Sequence, residues 1–182
     1  MAVTAGNGGA GHGLRWRVAL WGLAALMLLA PLVAMQFTPE VAWGGADFLV
    51  FGTMLVIACG SFELAARMAG SGSYRAAAGV AIGTAFLIVW ASLAVGIVGD
   101  EGNPFNLMFA GVLAIGLLGG FATRFQARGM AGVLLAMAYA HALAAGIGAF
   151  SDHASLAPNA VFVALWLVSA ALFRKADKAP RS

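Results

Sequence analysis

Six long apolar stretches leave this chain few ways to fold. They cover residues 18–37, 48–66, 76–98, 105–123, 130–150 and 159–173. A helix needs about 20 apolar residues to cross the hydrocarbon core of a bilayer, and five of the six stretches approach or reach that length. Backbone amides must be satisfied within the membrane, and these runs do not alternate as barrel strands do. The sequence therefore predicts six transmembrane helices.

The composition agrees with a membrane protein. Charged residues make up 9% of the 182-residue chain and hydrophobic residues 62%, whereas a soluble domain carries about 25% charged residues. The formal charge of +3 is spread along the chain and forms no single basic face, so no nucleic-acid partner is predicted. The single cysteine excludes an intramolecular disulfide and a cysteine metal cluster.

The distribution of charge predicts the orientation of the helices. All ten basic residues lie before the first helix, in the connections after the second and fourth helices, or after the sixth helix. They are Arg15, Arg17, Arg67, Arg75, Arg124, Arg128, Arg174, Lys175, Lys178 and Arg181. The other connections carry Glu40, Asp47, Asp100, Glu101 and Asp152. By the positive-inside rule both termini face the cytoplasm. The predicted fold is an all-α polytopic bundle of six transmembrane helices.

Three segments are predicted along the chain. Residues 1–14, rich in glycine and alanine, are expected to form a disordered cytoplasmic N-terminus, residues 15–175 the transmembrane domain, and residues 176–182 a basic cytoplasmic tail. Asp47, Asn106 and Asn159 stand where they can cap the second, fourth and sixth helices. Small residues at three- and four-residue spacing predict that the third, fourth and fifth helices form the tightly packed centre.

His141 is the first candidate for intramembrane chemistry. It lies in the middle of the fifth apolar stretch, where an ionisable group is costly and is a functional candidate by default. It can relay protons, ligate a metal or bind a polar substrate. The favoured alternative is a neutral imidazole that hydrogen-bonds a neighbouring helix, because the membrane stretches hold no second histidine for a haem or zinc site.

Glu63 is the second candidate, about one turn from the cytoplasmic end of the second helix. Arg67 follows it at i+4, the favourable order for a helical ion pair, and a structural pair is the favoured interpretation. Cys59 precedes Glu63 by four residues and shares its face. A lone cysteine in an apolar helix is usually an inert hydrophobe.

The outer turn between the third and fourth helices is an acidic candidate site. Asp100, Glu101 and Asn103 supply oxygen ligands that can hold a hard divalent cation. Their spacing does not match a calcium loop, so a solvated turn that enforces topology is favoured. The metal content is not determined by the sequence, and no cofactor is indicated.

The segment 95–109, VGIVGDEGNPFNLMF, resembles one that recurs in small uncharacterised proteobacterial inner-membrane proteins. The resemblance extends from residue 31 to about residue 128. It implies a six-helix bacterial membrane protein and brings no assigned activity. Such proteins tend to have another acidic residue where this chain has Gly102, which weakens the cation interpretation.

Three functions compete. The favoured one is a non-enzymatic accessory or assembly subunit, embedded in the lipid bilayer and bound to a membrane-protein partner or to its own copies. The second is a small transporter or channel that uses His141 and Glu63. The last is a membrane oxidoreductase or lipid enzyme, which rests on His141, Cys59, Trp90 and Tyr139. The chain has no phosphate-binding glycine loop, zinc-protease motif or serine-hydrolase motif, which argues against a hydrolase or an ATP-driven pump.

Overall fold

A computed structural model describes residues 8–99, 102–152 and 156–179. These ranges contain six helices and no strand: α1 (Gly8–Ala34), α2 (Gly45–Met68), α3 (Gly72–Ala94), α4 (Leu107–Ala122), α5 (Ala127–Asp152) and α6 (Leu156–Asp177). A single 3-10 turn, Pro104–Asn106, leads into α4. Every helix except α4 is long and apolar enough to cross a membrane alone, and α4 reaches that length together with this turn. The chain is therefore a polytopic membrane helix bundle, which confirms the predicted fold class.

Every helix end differs from the predicted one by at least one residue, and three of the differences are informative. Helix α1 begins at Gly8, within the segment whose composition predicts disorder, and residues 1–7 lie outside the described residues. Helix α3 ends at Ala94, four residues early, because Gly96 and Gly99 then adopt φ values of 75° and 65°. This left-handed region is readily open to glycine and ends a helix. Helix α6 continues to Asp177.

Contacts divide the chain after Glu63 into two compact units. The first contains α1 and most of α2. Its contacts include an ion pair between Arg17 and Glu63 and an edge-to-face contact between Trp16 and Phe62, whose ring centroids are 6.0 Å apart. Ala24 is the one buried side chain among those described in α1. Most of the described side chains of α1 are therefore exposed or half-buried.

The second unit begins at Leu64 and contains α3 to α6. Helix α6 packs against both α5 and α3, and α4 packs against α5. Trp166 and Phe173 of α6 belong to the same buried cluster as Ala131, Ala138 and Ala144 of α5. The small residues of α5 thus leave room for the large rings of α6. The expectation that α3, α4 and α5 form the centre is correct for α5, but it left out α6, which packs against both α5 and α3.

The turn between α4 and α5 is tight and is fixed from two sides. Arg124 and Phe125 adopt φ values of 52° and 55°, which non-glycine residues rarely adopt. The Tyr74 hydroxyl donates a hydrogen bond to the Phe125 carbonyl over 2.7 Å, and this bond ties the turn to α3. A Cβ atom on Gly120 would lie 2.6 Å from the Phe125 ring, so the close approach requires glycine there.

Candidate intramembrane polar sites

His141 lies in the core of the second unit. Its side chain is fully buried, and its Nε2 atom lies 3.1 Å from the Asn159 Oδ1 atom in the first turn of α6. Because an amide oxygen can only accept a hydrogen bond, the Nε2 atom carries the ring proton and donates this bond. The bond joins α5 to α6. The interhelical hydrogen bond expected of a structural imidazole is therefore present.

Two aromatic rings enclose the imidazole on its other sides. The Phe109 centroid is 4.9 Å from the His141 centroid, and the Phe162 centroid is 5.6 Å away. The Nδ1 atom is buried and has no hydrogen-bond partner among the residues that the structure describes. A proton relay needs a hydrogen-bond partner at each ring nitrogen. The described residues provide a partner at Nε2 alone.

Asn159 has a different position from the one predicted. Helix α6 begins at Leu156, so Asn159 stands inside the helix and its side chain points to His141. Asn106 likewise makes no side-chain cap on α4. Its Oδ1 atom accepts hydrogen bonds from the amides of Ile97 and Val98, both over 2.9 Å, and so closes the loop after α3. Capping was predicted because both residues stand near a predicted helix start. The sequence does not reveal which residues of other segments their side chains contact.

Two further hydrogen bonds connect or stabilise buried helices and were not predicted. The Ser169 hydroxyl donates to the Ala77 carbonyl over 2.8 Å and so joins α6 to α3. The Thr84 hydroxyl donates to the Val80 carbonyl within α3 over 2.7 Å. Hydroxyl groups in apolar helices are common, and only the rotation of each helix decides which of them meets a neighbour.

Glu63 is paired in the first unit. Its carboxylate forms an ion pair with the Arg17 guanidinium, and its side chain is 12% exposed. The predicted Glu63–Arg67 pair remains a prediction, and the Arg67 side chain is exposed. The pairing of Arg17 with Glu63 could have been predicted from the sequence, because two consecutive antiparallel helices bring the start of the first close to the end of the second. Local i, i+4 spacing did not indicate Arg17 as a second candidate partner of Glu63.

Cys59 is a buried free thiol one turn before Glu63. Among the described residues no group of three or more histidine, cysteine, aspartate or glutamate side chains could hold a metal ion. His141 belongs to the second unit, and Cys59 and Glu63 belong to the first. Each is therefore considered within its own unit.

The proposed oxidoreductase residues of the second unit do not share one site. Tyr139 is two residues before His141, so the two side chains leave α5 on nearly opposite sides. Tyr139 is 69% exposed, whereas His141 is fully buried. Trp90 is also exposed. The similar depth of these residues in the membrane suggested a common catalytic centre. Because Tyr139 and Trp90 are exposed whereas His141 is buried, the structure does not support such a centre.

The outer acidic turn is described only in part. Asp100 and Glu101 lie outside the described residues. The Asn103 side-chain oxygen accepts a hydrogen bond from the Phe105 amide over 2.9 Å and caps the turn that leads into α4. This oxygen therefore has a structural partner. The cation interpretation of the turn remains a prediction.

Comparison with family models, curated proteins and solved structures found no match for this chain.

Proposed function

We propose that this protein is a non-enzymatic accessory or assembly subunit of the bacterial inner membrane, with both termini in the cytoplasm. Its partners are the lipid bilayer and another membrane protein or its own copies. One observation carries the proposal. The four buried polar side chains of the described residues, Thr84, His141, Asn159 and Ser169, each form a hydrogen bond inside the second unit.

This use of polar groups supports architecture over transport. A transport path needs polar groups that meet the substrate and line a route through the bilayer. Here hydroxyl and amide groups join α3 to α6 and α5 to α6. Hydrogen bonds between helices stabilise packing in an apolar solvent, where apolar side chains alone give little preference for a neighbour over lipid.

The charge distribution supports the proposed orientation. Arg75, Arg124, Arg128 and Arg174 are all exposed and stand at or beside helix ends. Helices that alternate in direction bring these four ends to one side of a membrane. Short basic connections of this kind stay in the cytoplasm.

Affinity purification from native membranes in mild detergent tests this function. We expect the chain to travel with a reproducible membrane-protein partner or with further copies of itself, identified by mass spectrometry. The absorption spectrum of the same sample should show protein bands alone. A colourless, monodisperse monomer would contradict the accessory role, and a bound chromophore would contradict the non-enzymatic part.

A second function, a small transporter or channel, has one observation in its favour. The buried His141 Nδ1 atom is without a partner in the described part of the chain, so it can still accept a hydrogen bond from a transported group. Replacing His141 by Leu and Glu63 by Gln tests this alternative. Unchanged fluxes of protons and cations in reconstituted vesicles would remove its basis.

A further inference from the structure

Tyr139 is a polar side chain in an unusual position. It lies 12 residues from the start and 11 from the end of the span Ala127–Phe150, which places it roughly 17 Å from either end at about 1.5 Å per residue. Tyr139 is 69% exposed. Its hydroxyl makes no hydrogen bond to any residue in the described ranges. An exposed polar group therefore lies near the middle of a membrane-length helix without a partner among the described residues.

A lone hydroxyl at this depth has no solvent to bind. Lysine and arginine reach the headgroups through long flexible stems, but the rigid tyrosine ring cannot extend across half of a hydrocarbon core about 30 Å thick. Tyrosines that face lipid are found mainly at the membrane interfaces. The position of Tyr139 thus points to a partner that supplies a hydrogen-bonding group at the middle of the membrane.

The surface around Tyr139 is shaped for a close approach. Residues at alternating spacings of four and three form one stripe along α5, which we name the Tyr139 face. It consists of Gly132, Ala136, Tyr139, Leu143, Gly146 and Phe150, all exposed except the half-buried Gly146. This spacing is that of a helix seam in left-handed packing. Gly132 and Ala136 also form a small-xxx-small pair, which lets two backbones approach in a membrane.

The glycines of this face leave open space where a side chain would stand. A Cβ atom on Gly132 or Gly146 would meet nothing within 4 Å, whereas one on Gly119 would lie 2.7 Å from Val133. Open glycines also occur at Gly60 and Gly83, so openness alone does not select a surface. The unpartnered hydroxyl at mid-membrane distinguishes the Tyr139 face from those positions.

We propose that the Tyr139 face is the contact surface for a second copy of this chain. The proposal rests on the association with a partner or with itself described above and names the surface. A two-fold axis along the membrane normal keeps both copies in the same orientation, so α5 meets α5 with equal residues at equal depth. The phenol both donates and accepts hydrogen bonds, so one Tyr139 hydroxyl can donate to the oxygen of the other, and each then has a polar partner. A foreign helix would need a suitable group at the same depth.

Cysteine cross-linking in native membranes tests the contact. Cys59 is replaced by Ala, and single cysteines are introduced as Ala136→Cys on the Tyr139 face or Leu167→Cys on α6. Leu167 is 45% exposed and about as far from the basic end of its helix as Ala136 is. After oxidation we expect a species of twice the chain mass for Ala136→Cys and none for Leu167→Cys. Equal yields, or no product with Ala136→Cys, would overturn the proposal.

Two substitutions in a reversible association assay test the geometry. Gly132→Leu should weaken dimerisation at least tenfold, and Gly83→Leu, at an equally open glycine of α3, should leave it unchanged. Tyr139→Phe removes one hydroxyl per copy and should weaken dimerisation about threefold, since an interhelical hydrogen bond in membranes contributes modestly. No weakening by Gly132→Leu would also overturn the proposal.

The result separates this proposal from the accessory function. Purification with a different membrane protein, together with no Ala136→Cys dimer, would retain the accessory role and reject the Tyr139 face as a self-contact. A monomer in both experiments would reject both.

Discussion

The two units of this protein use similar apolar helices in different ways. In the first, α1 has one buried side chain among those described, and the Arg17–Glu63 pair and the Trp16–Phe62 contact join it to α2. In the second, large rings fill a core, and hydrogen bonds connect α3, α5 and α6. Hydropathy marks membrane helices, but side-chain size and a few polar atoms decide which of them pack tightly.

The largest expected effect of a substitution is in the core of the second unit. Trp166→Ala removes a side chain that is 1% exposed and should cost about 3 kcal/mol of stability through the cavity it leaves. Trp90→Ala, at a position 42% exposed, is the matched control and should cost far less. Thermal unfolding in detergent measures both. Equal losses would show that the core of the second unit is no more tightly packed than its surface.

A smaller effect is expected where α4 meets α5. Gly119→Ala places a Cβ atom 2.7 Å from the stiff Val133 side chain, and such overpacking costs about 1–3 kcal/mol. Gly111→Ala in the same helix meets nothing within 4 Å. It should be neutral or slightly stabilising, because alanine favours a helix by up to ~1 kcal/mol over glycine. The same unfolding assay separates the two variants, and a harmless Gly119→Ala would contradict the close contact.

The polar link between α5 and α6 should have a measurable coupling. We expect a double-mutant cycle of His141→Leu and Asn159→Leu to give a coupling of about 0.6–1.7 kcal/mol, the range of hydrogen bonds between membrane helices. The free energy of unfolding in mixed micelles provides the measurement. A coupling near zero would mean that this hydrogen bond does not stabilise the second unit, and His141 would then need another explanation.

The smallest effect is expected in the first unit. Arg17→Gln breaks the ion pair with Glu63, and a pair this close to the surface contributes at most about 1 kcal/mol. Cys59 lies one turn away and is buried, so its labelling by a maleimide reports opening of this unit. The rate should rise up to about fivefold, as 1.4 kcal/mol corresponds to a factor of ten. Arg15→Gln is the control, and an equal rise there would reject a specific pair.

The helices were predictable because each is fixed by a local property. A run of about 20 apolar residues identifies a membrane span wherever it occurs. The ends were less predictable, since α3 stops at two glycines with positive φ rather than where its apolar residues end. Pairing of Glu63 with Arg17 was within reach of the sequence, because hairpin topology brings both to the same end.

The tertiary contacts of His141 and Asn159 were not predictable in the same way. Eighteen positions separate them, and their meeting depends on the rotation and the depth of both α5 and α6. The same holds for Ser169 and the Ala77 carbonyl. The central position of α6 was also missed. The sizes of its side chains indicate close packing only when the residues that face them on α5 and α3 are known.

The particle mass of the protein, extracted with its own lipids in polymer nanodiscs, would show whether the chain is associated with another protein in its membrane. Polymer extraction keeps native neighbours together without detergent. We expect a particle that holds this chain together with at least one further protein chain, its own copy or another membrane protein. A particle that holds a single copy of this chain and lipid alone would contradict this expectation.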